Sequence, residues 1–458
     1  MKQGPEGKKR RYRETLAYLF GLQRFGIKLG LANITALLKR LGDPHNRLPA
    51  VHIAGSNGKG STAAFLASLL RRAGYRVGLY SSPHLVDFSE RIQVDGSPIS
   101  TERVVHWTAT IREAVEKMEK EGKLWPGSAL QSLPKDFDPR KATVTFFEFT
   151  TAMAFLHFRE MKVDIAVLET GMGGRLDATN VIDPLLCLIT SISPEHQQYL
   201  GNSLLKIARE KAGIIKPNRP LLTSASQSRV ESLLREKCQE LNAAFYVLGK
   251  DFSGKELDPQ VMDFQGRSHR WEELRLGLAG SHQVVNASLA LAAMEVLMES
   301  GYPAEERQLR QGLVAVRWPG RLELVGEHPR ILLDGAHNPG ATKALREALR
   351  AGFPRRRLIL ILGIMSDKEI RRMMADLVPL ADRLILTQPK MDRAASLETL
   401  RSQASPFQKP MMEVAEVSDA LRQALAEAGE DDLILVTGSL FTVGEARVYL
   451  TDGGRLHS

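Results

Sequence analysis

Residues 51–62, VHIAGSNGKGST, place a lysine inside a glycine-rich turn. A short β-branched stretch delivers the chain into Gly55-Ser56-Asn57-Gly58-Lys59-Gly60-Ser61, and a helical pattern begins there. Glycines let backbone N–H groups converge on a phosphate, the helix N-terminus adds its dipole, and Lys59 adds a point charge. The plainer alternative is a tight turn with a surface lysine, but a strand before and a helix after favour phosphate. The match to a Walker A loop is nevertheless incomplete. Ile53 stands where that loop has glycine, and Gly60 stands where it has the Ser or Thr that holds magnesium.

A magnesium ion beside such a phosphate must therefore find oxygen elsewhere, and three residues compete for the role. Glu169 ends the apolar run VDIAVLE, Ser82 ends the neighbouring strand pattern, and His196 follows PLLCLITSIS. All three fall at the carboxyl ends of expected parallel strands, where open α/β sheets place their ligands. Each alone has an ordinary reading, a turn cap for the serine and a hydrogen-bonded structural residue for the histidine. Magnesium also prefers hard oxygen to imidazole. Their joint placement on one sheet edge is what carries the assignment.

The elements that must position these groups are legible from periodicity. The first ~45 residues read as helices, RETLAYLFGLQ and ANITALLKRLG. Strand PAVHIAG, helix KGSTAAFLASLLRRAG with Phe65, Leu66, Leu69 and Leu70 inward, and strand YRVGLYSSPHL follow. A helix over 102–121 leads into 122–142, rich in Pro, Gly and charge, which reads as a mobile loop. Helix TFFEFTTAMAFLHFREM precedes strand VDIAVLE, and strand PLLCLITSIS precedes helix SLLKIAREKAGIIK. Such alternation predicts a parallel, helix-covered sheet. A charged, hairpin-like stretch spans about 245–277, then a long helix SHQVVNASLALAAMEVLMESG. VRWPGRLELV (316–325) reads as a joint, beyond which alternation restarts with RILLDG, RLILILGIM, DRLILTQ and DLILVTGSL. The fold class expected is α/β in two domains, 1–318 with a P-loop-type ATPase sheet and 319–458 with a Rossmann-like sheet.

Composition bounds the function. The chain has 458 residues, 43% hydrophobic and 25% charged, ordinary for globular domains and too long for one. No apolar run reaches the ~20 residues of a membrane span, and the basic start lacks the apolar core of a secretory signal. Cys187 and Cys238 form no metal or disulfide framework. A reduced cytoplasm is expected. The net charge of +9 suits anionic small substrates as well as nucleic acid. Nucleic-acid binding would call for aromatics interleaved with a basic patch, yet aromatics are 6% and only KKRRYR (8–13) is densely basic.

The motifs AGSNGKGS, SSPHL, FFEF, LETGMGGRLDATN, SISPEHQQYLG, EKAGIIKP, WPGR, DGAHNP and TGSL occur in this order. Together, across residues ~50–440, they resemble the folylpolyglutamate synthase/dihydrofolate synthase family of the Mur ligase superfamily. The resemblance implies an ATP-dependent ligase that adds L-glutamate to dihydropteroate or to a reduced folate through an acyl phosphate, as a monomer. It implies two magnesium ions, with Ser82, Glu169 and His196 around the first. Lys211 matches a lysine that related ligases carry as a carbamate, an N6-carboxylysine able to hold the second ion; read as a sequence alone, it is a helix lysine paired with a nearby glutamate such as Glu210. Asn286, Arg321 and Asp334 match positions that contact ATP, with His337 near the phosphates or the incoming amino acid. Thr145, Phe147, Asp177 and Ala178 match residues lining a dihydropteroate pocket, while helical spacing makes Phe146 and Phe149 core. Residue by residue the implied roles are catalytic for Lys59, His196, Lys211, Arg321 and His337, and nucleotide-binding for Ser56, Asn57, Gly58, Lys59, Gly60 and Ser61.

Two positions depart from the family pattern. Glu195-His196 stands where Asp-His is usual, and the extra methylene alters any support that acid gives the histidine. Thr170 replaces a common aliphatic residue. A ligase acting on a nucleotide-linked peptidoglycan precursor is a competing expectation, although only ~50 residues precede the glycine-rich turn, little room for a separate sugar-nucleotide domain.

Overall fold

A computed structural model of the chain describes residues 5–26, 28, 30–124, 144–326 and 328–453. Its first sheet contains β1 (Ala50–Ala54), β2 (Val77–Tyr80), β3 (Ile92–Val94), β4 (Ser97–Pro98), β5 (Ile165–Glu169), β6 (Leu186–Ile189), β7 (Leu221–Thr223) and β8 (Phe245–Val247). Their order is β4-β3-β2-β5-β1-β6-β7-β8. The six strands from β2 to β8 are parallel, as the alternation predicts, and β3 and β4 add an antiparallel edge that it does not.

Eleven helices are needed to follow the site: α1 (Pro5–Gly21), α2 (Ala32–Arg40), α3 (Lys59–Arg72), α4 (Thr101–Lys120), α5 (Phe146–Met161), α6 (Gln197–Leu200), α7 (Leu204–Ala212), α8 (Ser228–Glu240), α9 (His282–Glu299), α10 (Glu306–Ala315) and α11 (Pro339–Gly352). Period-2 alternation in β1 sends Val51 and Ile53 toward α3 and α9, and Ala50 toward the layer of α1, α2, α4 and α5. Helix α9 is buried on nearly every side. It lies between α3 and a small antiparallel sheet, which explains why its sequence is apolar all round. That sheet, β9 (Ser253–Asp258), β10 (Val261–Gln265) and β11 (Arg270–Arg275), corrects the hairpin expected over 245–277: it has three strands, and Phe245–Val247 belongs to the large sheet. The loop expected over 122–142 falls mostly outside the described residues.

The second large sheet has β12 (Glu323–Val325), β13 (Arg330–Leu333), β14 (Leu358–Leu362), β15 (Arg383–Leu386), β16 (Met411–Glu413) and β17 (Leu433–Thr437), ordered β12-β13-β17-β14-β15-β16. All are parallel except β12. Two apolar clusters cover its faces. The lobes meet closely where Leu85, in the loop after β2, reaches the last helix: a Cβ on Gly444 would sit 2.2 Å from the Leu85 carbonyl oxygen. Among the described residues no helix is long and apolar enough to cross a membrane.

Candidate active site

The glycine-rich turn runs from the end of β1 into α3. Gly55 (φ 150°) and Gly58 (φ 90°) occupy backbone conformations that side chains resist. The turn is tied to the segment after β6. Ser56 N–H donates to Ser191 O (2.7 Å), the Ser56 hydroxyl donates to Ser193 O (3.0 Å), and Ser193 N–H donates back to the Ser56 hydroxyl (3.0 Å). Lys59 curls over its own loop and donates to Gly55 O at 3.0 Å. An ammonium parked on a carbonyl is held where an incoming phosphate oxygen would replace that carbonyl. Ser61 begins the buried side of α3.

Gly60 has a packing reason. A Cβ there would lie 3.0 Å from Nε1 of Trp318, in the joint between the lobes. The indole leaves a side chain little room there, and glycine itself offers magnesium no hydroxyl.

Ser82 and Glu169 are brought together. Glu169 is buried, and its Oε2 accepts the Ser82 N–H at 3.3 Å, the one hydrogen bond its carboxyl makes among the described residues. Burial pushes its carboxyl up; Lys59, the Ser82 N–H and Arg321 oppose. A carboxylate with most of its lone pairs unspent, facing a lysine and a phosphate turn, fits a hard divalent cation. His196 sits in left-handed backbone (φ 43°) ahead of α6; burial lowers its imidazole, Glu195 opposes, and Lys368, Lys59 and Lys211 add to the lowering. Among the described residues no three His, Cys, Asp or Glu side chains converge as a metal cluster.

Lys211, at the end of α7, is 1% exposed and donates to Gly55 O (2.8 Å) and to Glu195 Oε1 (2.5 Å). Glu210, the nearby glutamate offered by the sequence as a partner, pairs with Arg175 instead. Burial pulls the Lys211 ammonium down to about 8, with Glu195 opposing. Burial raises the Glu195 carboxyl, but Lys211, Lys59 and His196 outweigh it and hold it at about 2. Thus the longer acid at 195 reaches under the turn to the lysine.

On the α9 side, Asn286 is buried against the turn. A Cβ on Gly58 would meet its Oδ1 at 2.4 Å, and the Thr62 hydroxyl donates to that oxygen at 3.4 Å. Asp334, at the end of β13, accepts Leu322 N–H (3.0 Å) and Ala336 N–H (2.9 Å), the second an Asx turn. Burial raises its carboxyl and Arg321 opposes. Arg321 makes no ion pair among the described residues and donates only to Gly320 O (3.3 Å), leaving a guanidinium unspent between the lobes. His337 donates from Nδ1 to Gly335 O (2.9 Å), which leaves Nε2 as an acceptor; burial lowers the imidazole to about 4.

Two of the residues expected around the acceptor, Phe147 and Asp177, pack against Gly171. The ring of Phe147 lies 2.6 Å from where a Gly171 Cβ would be, and it faces Tyr80 at 5.9 Å. Phe146 and Phe149 are core, as helical spacing predicts. Asp177 accepts Gly171 N–H (2.9 Å), Met172 N–H (3.0 Å), Thr179 N–H (3.0 Å) and the Thr179 hydroxyl (2.5 Å). Its oxygens are occupied by the turn, so a substrate donor would share a lone pair rather than find one vacant. Thr145 likewise spends its hydroxyl on Glu148 in the α5 capping box. Ala178 is buried beside it at the start of a 3-10 turn.

Sequence reasoning missed several members. Asn338 exchanges amide hydrogen bonds with Asn57, Trp318 covers Gly60, and Lys368, after β14, lies close enough to disfavour protonation of both His196 and His337. The first two sit inside DGAHNP and WPGR, quoted motifs whose other residues drew the attention.

Comparison with known proteins gives the chain a family and a fold. Residues 53–294 match the family model described as Mur ligase middle domain, and residues 320–440 match Mur ligase, glutamate ligase domain. The chain is 36% identical to the dihydrofolate synthase/folylpolyglutamate synthase of Bacillus subtilis over 95% of this chain and 98% of that protein. The Mycobacterium tuberculosis folylpolyglutamate synthase complexed with ADP superposes with TM-score 0.86 at 32% identity, covering 96% of this chain and 98% of that one. Escherichia coli FolC in complex with DHPP and ADP superposes with TM-score 0.84 at 30% identity, covering 96% and 98%.

Proposed function

We propose an activity from one premise: the chain belongs to the Mur ligase family, on the branch of folylpolyglutamate and dihydrofolate synthases. It is an ATP-dependent ligase that joins L-glutamate to dihydropteroate, to reduced folate polyglutamates, or to both. We place the lobes at 1–318 and 319–458, divided at the Trp-Pro-Gly joint, with the chain acting as a monomer in the cytoplasm.

A carboxylate is a poor acylating agent because its oxygen leaves badly at neutral pH. Transfer of the ATP γ-phosphoryl to the acceptor carboxylate makes an acyl phosphate; the glutamate amine then attacks the carbonyl carbon, and phosphate departs with the C–O electron pair. The protein's share is positioning and charge neutralisation. Ser56 to Ser61 cradle the phosphates, Lys59 neutralises them, and Arg321 reaches them from the joint. Asn286 and Asp334 hold adenine and ribose. Nε2 of His337 is a neutral acceptor in the cleft, suited to orienting the glutamate amine. Phe147, with Thr145, Asp177 and Ala178, walls the acceptor pocket.

Ser82, Glu169 and His196 would hold a magnesium ion, which when bound supplies charge stabilisation for phosphoryl oxygens. The observation that carries this is the buried, nearly unsatisfied Glu169 carboxyl beside Ser82, near a turn that has glycine at the usual ligand position. A second ion on a carbamylated Lys211 is the finer reading. Loss of a proton from the Lys211 ammonium would end its ion pair with Glu195, and attack of the neutral amine on CO₂, with release of a second proton, would give a carboxylate-like ligand. Lys59→Ala and Arg321→Ala test the site: turnover should fall by orders of magnitude with the circular-dichroism spectrum unchanged, and unaltered kcat would refute both roles.

A further inference from the structure

Among the described residues, Leu85 is the one side chain of residues 1–318 that packs into the second lobe's apolar cluster around Ile331, Ile361 and Val443. It enters between two glycines. A Cβ on Gly320 would lie 3.2 Å from Leu85 Cδ2, and one on Gly444 would lie 2.2 Å from the Leu85 carbonyl oxygen, a backbone atom that cannot swing aside. Gly320 has a backbone reason of its own, a φ of 72°. Gly444 has none: it is buried in the body of the last helix, Leu440–Asp452, where glycine is less stable than alanine. The room it leaves for Leu85 explains that departure.

The loop that carries Leu85 is held from base to tip. Ser81 N–H donates to Arg91 O (3.0 Å) and closes the base. Arg91 Nε donates to His84 Nδ1 at 2.8 Å. The Glu90 carboxylate accepts the N–H groups of Leu85 (2.7 Å), Val86 (3.1 Å) and Asp87 (2.9 Å), and Tyr12 of α1 donates to Asp87 Oδ1 at 2.9 Å. Three residues before Leu85, Ser82 donates its N–H to Glu169. A shift of the second lobe therefore either unseats Leu85 or pulls on the segment that holds Ser82.

We propose that Leu85 is a positioning residue for the ligase reaction, a knob between Gly320 and Gly444 that registers the second lobe, with Arg321 and His337, against Ser82 and Glu169 of the first. The inference rests on the ligase reading and adds to it the contact that aligns the lobes.

Gly444→Ala tests it by sign. Helix propensity alone would raise the melting temperature and leave turnover as it was. A seat for Leu85 predicts that the added methyl displaces the loop and lowers kcat roughly ten- to hundredfold, the scale of an ångström of misalignment. Leu85→Ala empties the seat from the other side and should lower kcat on the same scale, with the acceptor KM nearly unchanged because Phe147 and Asp177 belong to the first lobe. Leu85→Met keeps the volume and should retain most of the turnover. Amide product is measured for the full chain at saturating ATP and glutamate, and thermal melts identify any variant that fails to fold, the other position then carrying the comparison. Unchanged kcat in folded Leu85→Ala or Gly444→Ala, or an equal loss in Leu85→Met, overturns the proposal. Absence of amide product from the unmodified protein overturns the ligase reading and this role with it.

Discussion

The side-chain amides of Asn57 and Asn338 exchange two hydrogen bonds across the joint between the lobes, Asn338 Nδ2 to Asn57 Oδ1 at 2.9 Å and Asn57 Nδ2 to Asn338 Oδ1 at 3.3 Å. Asn338 Oδ1 also accepts Ala341 N–H at 2.9 Å as the N-cap of α11. One residue thus starts a helix in one lobe and grips the phosphate turn of the other. Gly340 keeps the approach open, since a Cβ there would lie 3.0 Å from Asn57 Nδ2.

Asn338→Ser separates the two duties. Serine still caps α11 but cannot reach Asn57 with an amide. Neutral hydrogen bonds are worth about 1 kcal/mol each, so kcat/KM should fall roughly ten- to thirtyfold while the melting temperature stays nearly constant. Equal losses in activity and stability would show a cap and nothing more.

Gly60→Ser restores the residue type of a full Walker A loop and should harm the protein. The new side chain enters the space of the Trp318 indole, at a cost of about 1–3 kcal/mol for overpacking. Thermal melts should show Gly60→Ser destabilised and the Gly60→Ser, Trp318→Ala double variant partly recovered. Unimpaired stability and activity in the single variant would contradict the packing account.

Removing one member of the Lys211–Glu195 pair leaves a buried charge uncompensated. Glu195→Gln should cost about 3–5 kcal/mol, and pairing it with Lys211→Met should recover much of that in chemical denaturation. The carbamate reading adds that bicarbonate-free preparation lowers activity. Full activity in Lys211→Ala would remove the carbamate from the mechanism.

His52, in β1, is fully buried, and burial holds its imidazole at about 3. Its Nε2 lies 2.8 Å from the Thr179 hydroxyl, which itself donates to Asp177. The folded state therefore binds its proton less readily than the unfolded chain. The stability from this group is complete above the unfolded value near 6.5 and is lost as pH falls toward 3. Urea denaturation across that window should show a shallower pH slope for His52→Gln than for the unmodified protein. Parallel slopes would mean His52 does not contribute.

The parallel sheets and the strand–turn–helix around Lys59 were readable because their signals are local: β-branched runs, helical spacing, Gly and Pro punctuation. The large sheet's antiparallel edge and β7, β8 and β16 were not, since strands of two or three residues carry too little periodicity. Glu169 was legible from its position after an apolar strand. Trp318 over Gly60 was not, because 258 positions separate them and only packing joins them. The Glu195–Lys211 pair lay hidden for the same reason: the sequence offered only nearby acids such as Glu210, while tertiary structure brought one from the preceding loop.

The central claim is tested most directly by following phosphate release and ligated product together, with ATP, L-glutamate, and either dihydropteroate or tetrahydrofolate as acceptor. The account predicts one phosphate released for each amide bond formed, with at least one acceptor, and neither product when glutamate or acceptor is withheld. ATP hydrolysis indifferent to glutamate, or no amide product with either acceptor, would contradict it.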